Sequence, residues 1–311
     1  MSRLLIIASV DAEADAVCAG LMGTWRPAPP KRLATSAPTS TPPAPARARP
    51  IPARDRQLLT AVRFGPYLAR RSGDVTVLAA GVGGPAAAAG TATCLALAAG
   101  AGDGFDLVVT IGVAGGFPGQ ADLGDVVVAD RIVAADLGAQ SPPAFEAIDD
   151  GDGPPPEVGF LDLAELGLGP AALAPHPGIV TQLAQTMDAV GRPVRVGAIA
   201  SVSTVTGTDA RAGELAARYD PLAEAMEGYG AAVAASAFGV PFAEVRAICN
   251  PVGRRDRARW DLPGAMSALS AVSVLLAEFA DTVDLTGVRP AAPAVATQRR
   301  DGPARGGPAA R

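Results

Sequence analysis

Residues 75–116, VTVLAAGVGGPAAAAGTATCLALAAGAGDGFDLVVTIGVAGG, decide the fold. The run 75–80 is short, apolar and rich in β-branched residues, which suits a strand buried on both faces. It meets Gly81-Val82-Gly83-Gly84, after which 85–99 has the alanine-rich composition of a helix, with Pro85 tolerated in the first turn. Residues 106–111 repeat the strand pattern and lead into Gly112-Val113-Ala114-Gly115-Gly116. Strand, glycine turn, helix, strand and glycine turn in this order spell an α/β sheet.

The pattern extends in both directions. Upstream, 4–10 reads as a strand, 12–21 as a helix, and 58–69 as helical or extended. Downstream, 125–130, 194–203 and 242–248 read as strands, whereas 178–190, 209–219, 226–238 and 263–282 read as helices. Residues 138–175 are mixed and rich in Pro and Gly. Apolar strands alternating with helices predict a three-layer α/β/α sandwich around a central sheet. One domain over 1–287 accommodates it. Two stretches stand apart: 26–54 and 288–311 are rich in Pro, Ala and Arg and have too little apolar surface to order themselves, so both are expected to be disordered.

Composition narrows the function. Of 311 residues, 49% are hydrophobic, enough for a large core, and the net charge is −5. Lys31 is the only lysine and many arginines fall in the two Pro/Ala-rich stretches, which disfavours a nucleic-acid partner. No uninterrupted apolar run is long enough to span a bilayer, and the opening strand leads at once to Asp11, Glu13 and Asp15 rather than to a cleavage site, so neither a membrane nor a leader is expected. Three cysteines, Cys18, Cys94 and Cys249, have no C-x-x-C spacing and read as reduced thiols of a cytoplasmic protein. His176 is the only histidine, so no His-rich metal site can form.

The glycine turns admit several readings. Gly81-x-Gly83-x-x-Ala86 satisfies a relaxed dinucleotide-binding fingerprint, but the next strand ends Thr110-Ile111-Gly112 with no carboxylate to hold a ribose. A plainer reading is that the glycines only make tight turns. Two such turns on successive strands place both at the carboxyl edge of a sheet, where backbone N–H groups approach a sugar or an anion.

Taken in order, several segments resemble the purine nucleoside phosphorylase and nucleosidase superfamily, in particular methylthioadenosine nucleosidases and futalosine hydrolases. They are IIASVDAE at 6–13, AGVG at 80–83, TIGVAGG at 110–116, LGDVVV at 123–128, EAMEG at 224–228 and VPFAEVRAICN at 240–250. The resemblance implies a phosphorylase/hydrolase-like fold with a mixed central sheet and a small-molecule purine nucleoside as substrate. It also implies a homo-oligomer and a reaction that needs no cofactor and no metal. Splitting a ribosyl–purine bond passes through an oxocarbenium-like sugar, so a nucleophile must be activated, the hydroxyls held and the base neutralised.

By resemblance, Glu13 is the base that activates water, although Asp11 and Asp15 lie close and a first-turn acid favoured by the helix dipole is the plainer alternative. Val113, Ala114 and Gly115 should line the sugar and base site, with Met226 packed on the sugar and Glu227 accepting its hydroxyls. Glu227 could otherwise be an ordinary helix acid. Thr204 and Val205 should line the base pocket through their backbone. Asn250 stands where adenine-specific members usually carry aspartate. An amide can accept from protonated N7 and donate to O6 of a 6-oxopurine, though an Asn before Pro251 also suits a turn.

Val113 occupies the position of a phosphate-binding serine, and no arginine adjoins the 80–83 turn, so water is the expected nucleophile. Likeness to futalosine hydrolases rests on STVTGT at 203–208, EAMEG at 224–228 and NPVGRRDRARWDLP at 250–263. It implies hydrolysis of futalosine to hypoxanthine and dehypoxanthinyl futalosine in menaquinone biosynthesis. Arg254 and Trp260 are candidates for the carboxyphenyl end of that substrate, against the plainer reading of an exposed charged loop. Two alternatives stay open: a methylthioadenosine/adenosylhomocysteine nucleosidase, and a non-catalytic nucleoside-binding domain.

Overall fold

A computed structural model describes residues 2–23, 59–141 and 159–288. The 26–54 segment and the tail beyond 288 lie outside the described residues. In chain order the elements are β1 (Leu4–Ala8), α1 (Asp11–Leu21), β2 (Thr60–Phe64), β3 (Tyr67–Ser72), β4 (Val75–Ala79), α2 (Gly84–Gly100), β5 (Leu107–Gly116) and β6 (Val126–Ala134). There follow β7 (Gly138–Ser141), β8 (Gly159–Asp162), β9 (Ala172–Leu173), α3 (Pro177–Met187), β10 (Val194–Ser201), α4 (Asp209–Tyr219), β11 (Ala223–Ala225), α5 (Gly228–Ala237), β12 (Phe242–Pro251) and α6 (Leu262–Thr282).

The sheet is mixed and runs β11-β10-β6-β12-β5-β1-β4-β3-β2. β1 pairs in parallel with β4 and β5, and β12 is parallel to β5 but antiparallel to β6. The far end curls back, because β11 is parallel to β10 and also pairs antiparallel with Gly115 and Gly116 of β5. β7 and β8 form a separate hairpin.

The period of two in a strand explains the layers. Leu4 and Ile6 of β1 join a core with α1, α3 and α6, whereas Leu5 and Ile7 face α2 and α5. All four are fully buried, and each such side chain contributes about 1.5–3 kcal/mol. α6 is long and apolar enough to cross a bilayer by length and composition alone, yet 67% of its most apolar window is buried inside the protein, as for a core helix.

Three sequence expectations change in detail. Residues 58–69, read as helical or extended, form the β2–β3 hairpin, which turns at Gly65 with φ 56°. Residues 112–116, read as a loop, are the second half of β5, because β12 on one side and β11 on the other supply their backbone partners. The helix expected from 226 begins at Gly228, since 223–225 are drawn into the sheet as β11 and leave Met226 and Glu227 in the link.

Candidate active site

Glu13 sits in the first turn of α1, where its carboxylate caps the helix and suits the dipole. It does more than cap. One oxygen, Oε2, accepts from Ser9 N at 2.9 Å, Ser9 Oγ at 2.5 Å and Val10 N at 3.5 Å, and Oε1 accepts from Val113 N of β5 at 2.9 Å. Four donors, three from the turn before α1 and one from β5, fix the group, which is only 2% exposed. Asp11 and Asp15 instead pair with Arg70 of β3 and are solvent-exposed, so they do not join this group.

Glu227, the residue before α5, is also buried. Its Oε1 accepts from Gly83 N at 3.0 Å and its Oε2 lies 3.2 Å from Arg246 Nη1. Arg246 of β12 also donates from Nε to Glu244 Oε1 at 2.8 Å. Glu244 and Arg246 are two residues apart and so share one face of the strand. A Cβ placed on Gly112 would lie 2.6 Å from Arg246 Nη1 and 2.8 Å from Glu13 Oε1, so glycine there leaves one point flanked by a cation and a carboxylate. Neither Arg246 nor Glu244 was singled out from sequence. The signal was present: a charged pair at alternate positions inside the apolar run PFAEVRAIC, where an unpaired charge would be costly.

Three carboxylates thus surround one guanidinium. Burial holds Glu244 above the usual carboxylate range; the charge of Arg246 opposes this and that of Glu227 adds to it. Burial alone would lower Arg246, but Glu244, Glu227 and Glu13 outweigh it and hold the guanidinium above its ordinary value. Cys249, also buried, is pushed up to about 12, chiefly by burial and further by Glu13, so it is a neutral packing thiol.

Asn250 lies at the end of β12, opposite Gly115 and just past a bulge at Ile248. Its Nδ2 donates to Pro251 O at 3.0 Å and its Oδ1 accepts from Cys249 Sγ at 3.1 Å, within a strand rather than a free turn. Ala114 is buried, Val113 half-buried, and Met226 packs against the cluster containing Phe117 and Val252. Thr204 and Val205 are exposed on the loop between β10 and α4. Carboxylates anchor that loop at both ends. Asp136 accepts from Ser203 N at 2.5 Å, and the buried Glu224 accepts from Thr206 N at 2.9 Å and from Thr206 Oγ1.

A cavity of about 790 Å³ opens beside Asn250, and its lining includes Arg192, Asp209, Arg254, Arg259 and Asp261. Arg254 and Trp260 meet different neighbours. Arg254 is exposed and its backbone N–H is held by Asp209, whereas the half-buried Trp260 ring carries Arg255 at 5.5 Å and Arg257 at 6.0 Å from its centroid.

Comparison with known proteins follows the same outline. Residues 46–283 match the model of the phosphorylase superfamily. The chain is 40% identical to the futalosine hydrolase of Acidothermus cellulolyticus over 86% of its own length and 87% of the relative's. It is 42% identical to that of Streptomyces coelicolor over 72% and 86%. Among solved structures, a 5'-methylthioadenosine/S-adenosylhomocysteine nucleosidase of Helicobacter pylori superposes with a TM-score of 0.63 at 16% identity, covering 91% of this chain and 99% of that one. The futalosine hydrolase of the same organism does so with a TM-score of 0.62 at 16% identity, covering 91% and 98%.

Proposed function

The chain belongs to the phosphorylase superfamily and, within it, to the futalosine hydrolases, and from that premise we propose that it hydrolyses the N-glycosidic bond of futalosine to hypoxanthine and dehypoxanthinyl futalosine, a step of menaquinone biosynthesis. The observation that carries the mechanism is the buried Glu13 carboxylate, held by Ser9 and Val113 and lying with Arg246 Nη1 close over Gly112, where a Cβ would sit within 2.8 Å of both groups. A water bound beside this pair donates to the carboxylate and accepts from the guanidinium. As its oxygen attacks the anomeric carbon, its proton passes to Glu13.

Glu227 accepts from the ribose hydroxyls. Those bonds strengthen as positive charge develops on the sugar ring. Val113, Ala114, Gly115 and Met226 form the sugar wall, and the backbone of Thr204 and Val205 borders the base. As the C–N bond breaks, N7 of the departing hypoxanthine takes a proton from solvent, and the Asn250 amide accepts from N7–H and donates to O6. Arg254, on the cavity beside Asn250, is the candidate partner for the substrate carboxylate, with Arg259 as its neighbour.

Water rather than phosphate suits this electrostatic setting. The buried Glu13 and Glu227 beside one arginine disfavour a phosphate dianion, and residue 113 is a valine with no hydroxyl to hold one. Methylthioadenosine hydrolysis fits less well: the neighbours with that activity share 16% identity, which speaks for the fold, and Asn250 lacks the carboxylate suited to adenine. The enzyme is further proposed to be cytoplasmic and homo-oligomeric; its free, buried cysteines suit a reducing compartment.

The test is incubation of purified protein with futalosine, inosine and methylthioadenosine, with and without phosphate. Hypoxanthine and an unphosphorylated sugar released from futalosine at equal rates in both buffers supports the proposal. Phosphate-dependent turnover, or faster release of adenine from methylthioadenosine, sinks it.

A further inference from the structure

Glu244 has no part in the reaction as written, yet it is 0% exposed, in the middle of a strand whose neighbours on both sides are paired. A carboxyl group so placed is costly unless something requires it. Among the described residues its single hydrogen-bond partner is Arg246 Nε, and its other oxygen, Oε2, has none. The side chain lies directly over Gly228, the first residue of α5. A Cβ at 228 would overlap Glu244 Oε2, Cδ and Oε1 together, so the glycine and the glutamate occupy one volume between them.

The guanidinium plane explains what the contact does. Free rotation about the last side-chain bonds would let Arg246 turn toward either Glu13 or Glu227. A bond at Nε fixes the plane, and with it the direction of both terminal nitrogens. Nη1 is thereby set 3.2 Å from Glu227 Oε2 and beside the point over Gly112, while Nη2 is buried without a partner.

We propose that Glu244 is a positioning residue: it holds Arg246 Nε so that Nη1 stays between Glu227 and the attacking water, and residue 228 is glycine because the Glu244 carboxyl fills its side-chain space. The inference rests on the reading of Glu13 and Arg246 as the pair that binds the attacking water. The titratable groups facing Glu244 are Arg246 and Glu227, with Glu13 beyond Arg246. Burial favours the uncharged form of Glu244, so an amide of the same shape can take its place at Nε.

The experiment combines thermal melting with steady-state turnover for Gly228→Ala, Glu244→Ala, Glu244→Gln and the double variant Gly228→Ala/Glu244→Ala. Gly228→Ala is expected to lower Tm in the wild-type background and to have little effect once Glu244 is alanine. Glu244→Ala is expected to lower kcat by about 10²-fold, the scale of a misplaced reacting group. Glu244→Gln should remain within about 3-fold of wild type, a difference well under the 1.4 kcal/mol of a tenfold change. The double variant should regain Tm but not kcat. A wild-type kcat in the double variant, or Glu244→Gln as slow as Glu244→Ala, overturns the positioning role, and independent Tm losses at 228 and 244 overturn the shared volume. Failure of the wild-type protein itself to hydrolyse futalosine would instead remove the reading of the site, while the Tm coupling would still decide the packing.

Discussion

Two regions of this molecule bear charge in opposite ways. Glu13, Glu227, Glu244 and Arg246 come from α1, the link before α5 and β12, are almost wholly buried, and are held by backbone N–H groups and by one another. The 253–260 segment carries Arg254, Arg255, Arg257 and Arg259 in the open, braced by Asp209 and stacked on Trp260. In the first region each side chain depends on the rest, so chemistry and stability are inseparable. In the second, one side chain can change with little cost to its neighbours, which suits it to selecting a substrate rather than to transforming one.

The sharpest way to break this contrast is to remove the only cation of the buried cluster. Arg246→Met leaves three carboxylates without a counter-charge, and urea denaturation should show a loss of about 3–5 kcal/mol. A loss below about 1 kcal/mol, as for a surface ion pair, would mean the cluster is not a unit. Glu227→Gln keeps the shape but weakens hydrogen bonds worth about 1.5–3 kcal/mol when charged, so kcat/KM for futalosine should fall about 10- to 100-fold in initial-rate assays. Asn250→Asp exchanges a donor for an acceptor. The ratio of hypoxanthine to adenine release from matched nucleosides should drop about 10-fold or more, and an unchanged ratio would remove Asn250 from base selection. In the exposed segment, Arg254→Ala should raise KM for futalosine only a few-fold, about 1 kcal/mol or less, and leave inosine unaffected.

A pH series gives the smallest effect. Glu244 and Glu224 both titrate above the ordinary carboxylate range because they are buried. Between the ordinary value and the raised one the folded protein holds more protons than the unfolded chain, so stability falls as pH rises through that window. Glu244→Gln should flatten the fall in chemical denaturation measured at several pH values; an unaltered slope would show that Glu244 is charged throughout.

The layers were legible in the sequence, because strand-length apolar runs and alanine-rich helices carry their periods openly, as in 75–80 and 209–219. The closing of the sheet was not, since the pairing of 223–225 with Gly115 and Gly116 is a long-range event that three residues cannot announce. Glu13 and Glu227 stood out because the segments that carry them, IIASVDAE and EAMEG, resemble the superfamily. Arg246 and Glu244 were hidden inside a strand, where a charge reads as an interruption until its partners are seen. The stacking of Arg255 and Arg257 on the Trp260 ring was likewise hidden, because four arginines within six residues do not say which of them meets the ring.

The most direct measurement is single-turnover hydrolysis of futalosine by Glu13→Gln beside the wild-type protein, with binding of futalosine followed separately by calorimetry. The amide keeps the size of the side chain but cannot take the proton of water. Cleavage should slow by about 10²–10⁴-fold while the protein still binds futalosine. Cleavage at the wild-type rate would contradict the assignment of Glu13 as the base and, with it, the water-activating site built from Glu13 and Arg246.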